Sequence, residues 1–256
     1  MTFARLTAPL ALAVAAAASP AWAAQTFNGS LGNLNIDLTA DGTSVLDTMG
    51  VTSEALPGTT TTVATTAVTN SDGSTSNYLS FGNTATSVTA QDAAIQSVQA
   101  GSSGVVLARG TTDRTVTLSN FDFDPTNVVL YADMATTQGT YLHEKFLVAS
   151  SDTTASGNPA TLSTDGVNHY TAEGSFSAMT LAGTWDGSSG TGALDILRRG
   201  WNVPTVLVST IANVQFASVS TQLAVATPEP STYALVGLGL GLVAAGAVAR
   251  RRRATV

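Results

Sequence analysis

Period-two alternation between apolar and polar side chains constrains this chain most. In residues 33–38, Leu34, Ile36 and Leu38 alternate with Asn33, Asn35 and Asp37, so a strand there turns one apolar face inward. Residues 114–123 alternate in the same way through Val116 and Leu118, then resume at Phe121 and Phe123 after an expected break at Ser119-Asn120. Residues 127–134, 145–150, 174–183, 203–210 and 212–220 are further short, β-rich runs. Asp41-Gly42, Asp72-Gly73, Asp165-Gly166 and Asp186-Gly187 supply turn chemistry between runs. Many short strands punctuated this way predict an all-β fold, an antiparallel β-sandwich. Residues 91–100 fit a short helix or another strand, and residues 195–202 fit one helical turn. The Thr/Ser-rich stretch 57–76 reads as a surface loop or edge strand, with O-glycosylation as the modification such a composition admits.

Chemistry is sparse along these strands. With no cysteine, disulfides, thiolate metal sites and cysteine nucleophiles are excluded. Charged residues are 11% of the chain. Between Ala24 and Thr227 there are 5 basic and 16 acidic residues, a balance of −11. Such a body does not bind nucleic acid by counterion release. His143 lies beside Tyr141 and Glu144, and His169 beside Tyr170 and Glu173; nothing in their spacing demands a metal or a haem. Asp122 and Asp124, with Asn127 following, could offer oxygens to Ca²⁺, but they lack the glycine and closing glutamate of an EF-hand loop. A solvated strand face running into an Asp-Pro turn is the simpler reading. There is no Gly-x-Ser-x-Gly nucleophile motif and no phosphate-binding glycine loop. We therefore expect neither a catalytic site nor a cofactor. Two alternatives stay open: a binding module for Ca²⁺, haem or sugar, and a polysaccharide hydrolase working through paired carboxylates, which leave no local signature.

The termini carry more information. Residues 1–23 contain one early positive charge, Arg5, an apolar stretch, a break at Pro20, and then Ala21-Trp22-Ala23. Small residues at positions −3 and −1 complete the layout of a secretory signal peptide cleaved after Ala23, or after Ala24 as the neighbouring option. At the other end, residues 233–249 are uncharged and would cover about 25 Å as a helix, a little short of a hydrocarbon core of about 30 Å. Arg250, Arg251, Arg252 and Arg253 follow directly. Positive charge stays on the cytoplasmic side, so a transmembrane helix here leaves residues 24–226 outside and residues 250–256 inside. Gly237 and Gly241 within the span form a Gly-x-x-x-Gly pair, a pattern found at helix dimers, but the simpler reading is that a temporary helix needs only marginal hydrophobicity.

Pro228-Glu229-Pro230 precedes this span. Two prolines neither continue a helix nor donate ladder hydrogen bonds, so the segment is expected to be extended and solvated. The ordered set of Pro-Glu-Pro, apolar span and terminal Arg cluster over residues 227–256 resembles the PEP-CTERM sorting signal of secreted Gram-negative proteins. That resemblance implies recognition through Pro228, Glu229 and Pro230, stop-transfer by Arg250 to Arg253, and tail removal by an exosortase-type processing enzyme. It also implies only transient contact with the membrane and an association with exopolysaccharide. An LPXTG or GPI signal fits these residues less well. The expectation is a cell-surface or extracellular structural or adhesive protein of the biofilm matrix.

Overall fold

The structure, a computed structural model, describes residues 24–69, 73, 75–110, 114–164 and 169–226. The expected signal peptide, the Pro-Glu-Pro segment, the span and the Arg cluster lie outside the described residues, as do Asp72 and Asp165-Gly166. In chain order the elements are β1 (Gln25–Asn28), β2 (Gly32–Leu38), α1 (Ala40–Met49), β3 (Val51–Ala55), β4 (Thr62–Thr69), β5 (Thr75–Thr84) and β6 (Ser87–Gln91). They continue with β7 (Ala94–Arg109), β8 (Thr115–Asp124), β9 (Val129–Thr136), β10 (Gly139–Val148), β11 (Thr154–Gly157), β12 (Ser163–Thr164) and β13 (His169–Leu181). The last are α2 (Gly192–Gly200), α3 (Thr205–Ala212) and β14 (Ala217–Ala226).

Every strand pairing is antiparallel, along the path β1-β6-β7-β8-β9-β10-β13-β14-β2-β5-β4. β3 joins the far half of β7, and β11 and β12 join β13. The fold is thus all-β in its sheet, as the alternation predicts. The path narrows between β10 and β13, which share only Leu147↔Leu181 and Val148↔Thr180. There it turns over on itself. β8 and β13 lie three strands apart along the path, about 14 Å in a flat sheet, yet the rings of Phe123 and Phe176 meet edge to face at 5.8 Å. Phe146 and Phe216 make a second T-shaped contact. Between the facing strands Leu34, Ile36, Val98, Leu118, Phe121 and Leu130 are fully buried.

Bulges fit the long strands to this curvature. β7 meets β6 along its first half and β3 along its second, with a register shift between Ala100 and Gly104. At that corner Ser103 Oγ donates to the Ala100 carbonyl and accepts from the Phe121 N–H, so a buried hydroxyl occupies the broken ladder. The break expected at Ser119-Asn120 is real: the β8–β9 register shifts there, and Asn120 takes φ +52°. Nearby, Thr61 Oγ1 donates to Asn83 Oδ1, while Asn83 Nδ2 reaches the Leu34 and Phe81 carbonyls, so a buried amide is fully engaged.

Three expectations need correction. Residues 212–220 are read as one strand, but Ala212 ends α3 and β14 begins only at Ala217. Residues 203–210 are read as a strand but form α3, with Pro204 as its N-cap residue and Val208 and Ile211 buried at helical spacing. Asp41-Gly42 is read as a turn but opens α1, whose N-cap Thr39 accepts from the Gly42 N–H through Oγ1. The glycine serves a close approach: a Cβ at position 42 would lie 2.1 Å from the Phe216 carbonyl oxygen. In an exposed helix Gly→Ala stabilises by about 1 kcal/mol. Here the sign reverses. Gly42→Ala is expected to destabilise by about 1–3 kcal/mol in urea unfolding, because the backbone of residues 215–216 must move.

The sequence leaves residues 91–100 open between helix and strand; they prove to be a turn at Asp92-Ala93 followed by β7. Residues 195–202 fall in α2 and its cap, more than the single turn expected. The helix lies flat on the sheet at Gly200, where a Cβ would come 2.4 Å from Val116 Cγ2. Arg109 ties the helix ends to β7: its Nε donates to the Met49 carbonyl, and its Nη1 to those of Trp201 and Asn202. A cation at the carboxyl ends of α1 and α2 also suits their dipoles.

Candidate functional site

A cleft of about 560 Å³ lies on the outer face of β2, β13 and β14. Register explains its lining. Ser175, Ser220 and Asn35 stand in one row across β13, β14 and β2, and Glu173 and Gln222 in the next. Ser156 extends the first row onto β11. Gly174 permits the wall: a Cβ there would fall 2.5 Å from the Ser156 carbonyl oxygen and 2.6 Å from Pro159 Cδ. The six polar side chains Asn35, Ser156, Glu173, Ser175, Ser220 and Gln222 make no hydrogen bond to one another or to any other described residue. Hydroxyls, amides and one carboxylate are therefore free to serve solvent or a ligand. Among the described residues, Glu173 is the sole ionisable side chain lining the cleft.

Asp37 lies on the same outer face, level with Ser218 and Ser80. Desolvation raises its pKa above the ordinary carboxylate value. The folded chain then holds this proton more tightly than the unfolded one. That contribution to stability is full in acid and is lost as pH rises through the folded pKa. Asp37→Asn is accordingly expected to melt higher than the parent near neutral pH and to match it in acid, a pattern that paired thermal melts can check.

The paired aspartates sit elsewhere, on the face of β8. Asp122 accepts from Ser97 Oγ at 2.7 Å and Gln99 Nε2 at 3.2 Å. Asp124 accepts from the Asn127 N–H at 2.9 Å and from Asn127 Nδ2 at 2.7 Å, fastening the Asp-Pro turn. Each carboxylate thus has protein donors of its own. Among the described residues no group of three or more His, Asp or Glu side chains is placed to hold a metal. His143, at φ +50°, stacks on Tyr131 with centroids 4.4 Å apart, and its backbone N–H donates to Asp133 Oδ1. His169 starts β13 beside Ala226, whereas β10 meets β13 at the opposite end, so the two histidines are not brought together.

Three of the five cations in the body are engaged in the fold. Besides Arg109, Arg198 and Arg199 both pair with Asp195, at 3.1 and 2.9 Å. They also lie over the rings of Trp185 and Tyr141. In the loop before α2, the N–H groups of Ser189 and Ser188 and then their hydroxyls donate to Asp186, holding its carboxyl far below the usual range. This loop is the turn expected at Asp186-Gly187, with Gly187 at φ +93°.

The last described strand leads into the tail. β14 is central, between β13 and β2, and Val225 is 2% exposed, one residue before the strand ends at Ala226. A family model, the PEP-CTERM protein-sorting motif, matches residues 226–253. No curated protein and no solved structure matches the chain. The motif marks a protein sorted toward the cell surface or the extracellular space, and it implies processing by an exosortase-type enzyme. Among the described residues no helix is long and apolar enough to cross a membrane.

Proposed function

We propose that the chain is a secreted structural or adhesive protein, without enzymatic activity, of the cell surface or its polysaccharide matrix. Residues 1–23 direct export, residues 24–226 form a β-sandwich ectodomain, and residues 227–256 are a temporary anchor removed during sorting. The observation that carries this reading is the sorting motif at residues 226–253, which begins at Ala226, the last residue of the central strand β14. Fractionating the producing cells tests it. The protein is expected in the surface and extracellular polymer fractions, and to leave with the polymer when polysaccharide is stripped. Recovery in the cytoplasm, or turnover of that polymer by the purified protein, would contradict it.

The cleft on β2, β13 and β14 favours a second reading as a sugar-binding module. Its hydroxyl, amide and carboxylate lining complements sugar hydroxyls. It favours binding over hydrolysis, because a glycosidase needs two carboxyl groups roughly 5–9.5 Å apart. Glu173 is level with Asn33 but two strands away, about 10 Å across the sheet, and Asp37 lies four residues, about 13 Å, further along β2, so a flat sheet sets the two carboxylates about 16 Å apart.

A further inference from the structure

The sheet has several edges, and one of them differs from the rest. β1, β3, β11 and β12 each pair with a single neighbour and are short, at 4, 5, 4 and 2 residues. β3 also carries Glu54. Short length and charge are the usual devices that keep a free strand edge from recruiting another chain. β4, at the end of the strand path, has neither. It is 8 residues long, Thr-Val-Ala-Thr-Thr-Ala-Val-Thr, with six β-branched side chains. It has no proline and no bulge: its register with β5 runs unbroken from Thr62↔Gly82 to Thr69↔Thr75. No side chain in residues 55–71 is charged. Ala64 to Thr69 are exposed on both faces of the strand, and Val68 is 42% exposed. The outer edge of β4 thus offers a row of backbone donors and acceptors with no described strand against it.

We propose that β4 is a self-association edge, on which the β4 strand of a second copy pairs antiparallel across a two-fold axis. Charge selects this occupant. Two bodies at −11 each repel when their acidic surfaces approach, whereas neutral β4 can meet its own copy without opposing like charges. An antiparallel edge is also its own complement, since a two-fold axis matches every donor with an acceptor and closes the contact as a dimer. The sheet then runs without interruption through β5-β4 of one copy into β4-β5 of the other.

The absence of cysteine makes the test clean. Ala64→Cys, Thr65→Cys, Thr66→Cys and Ala67→Cys are introduced singly into the full chain and oxidised mildly, with Thr26→Cys on edge β1 as the control. Two-fold pairing predicts a disulfide yield that peaks at one position and falls away on both sides, and a control that stays low. Sedimentation of the full chain and of the doubly substituted Ala64→Lys/Ala67→Lys chain is the second arm. The lysines set like charges across the axis and should weaken the dimer by about ten-fold or more. Their side chains point into solvent, so an unchanged thermal melt establishes that the variant folds. A monomeric parent, equal yields at all positions and the control, or a dimer that the lysines leave intact, would overturn the proposal. The last outcome would assign the contact to another surface, the Gly237/Gly241 pair of the tail included.

Discussion

Trp201→Ala is expected to lower the unfolding free energy by about 3–5 kcal/mol, a large share of the stability of an ordinary domain. Trp201 is fully buried at the carboxyl end of α2. Its Nε1–H donates to the Leu107 carbonyl on β7 at 3.2 Å, and its own carbonyl accepts from Arg109. Truncation therefore opens a cavity where the helix meets the sheet and leaves the Leu107 carbonyl without that donor. Trp201→Phe separates the two effects: it fills most of the space and loses only the hydrogen bond, so about 1–2 kcal/mol is expected. Urea titrations of the three proteins decide the matter. Equal losses for Ala and Phe would mean that the hydrogen bond, and not the packing, fixes α2.

Replacing Pro228-Glu229-Pro230 by three alanines is expected to leave the tail on nearly every molecule, with unprocessed chain rising roughly ten-fold or more. The physical reason is backbone shape. Alanine is the best helix former and proline the worst, by about 3 kcal/mol per residue. Three alanines would let a helix over residues 233–249 grow back toward β14, hiding the backbone that a processing enzyme must grip. Glu229→Gln alone keeps both prolines, so it isolates the charge from the extended shape. Immunoblots of membrane and secreted fractions read all three proteins. Normal processing of the alanine variant would show that the prolines and Glu229 are not what the enzyme reads.

Strands with strict alternation were legible because a buried face writes itself into the sequence. Leu34, Ile36 and Leu38 of β2, and Val116 and Leu118 of β8, are all at most 2% exposed. α3 was not legible, since a run of valine, leucine and threonine suits a strand and a buried helix equally; its Val208–Ile211 spacing was the one available signal. Asp41-Gly42 misled for a different reason. Its glycine answers a carbonyl far away in sequence, that of Phe216, which no local pattern can show. The cleft is hidden in the same way: Asn35, Ser175 and Ser220 meet only through strand register. The sorting motif was fully legible, because a processing enzyme reads a contiguous segment and the order of its parts is itself the signal.

Intact mass and terminal sequencing of the protein recovered from its host decide whether the chain is exported and then loses its tail. The expected chain begins at Ala24 or Gln25, ends near Pro230 and lacks Arg250 to Arg253. A chain that still ends at Val256 and stays in the inner membrane would contradict it and make the protein a permanently tethered one.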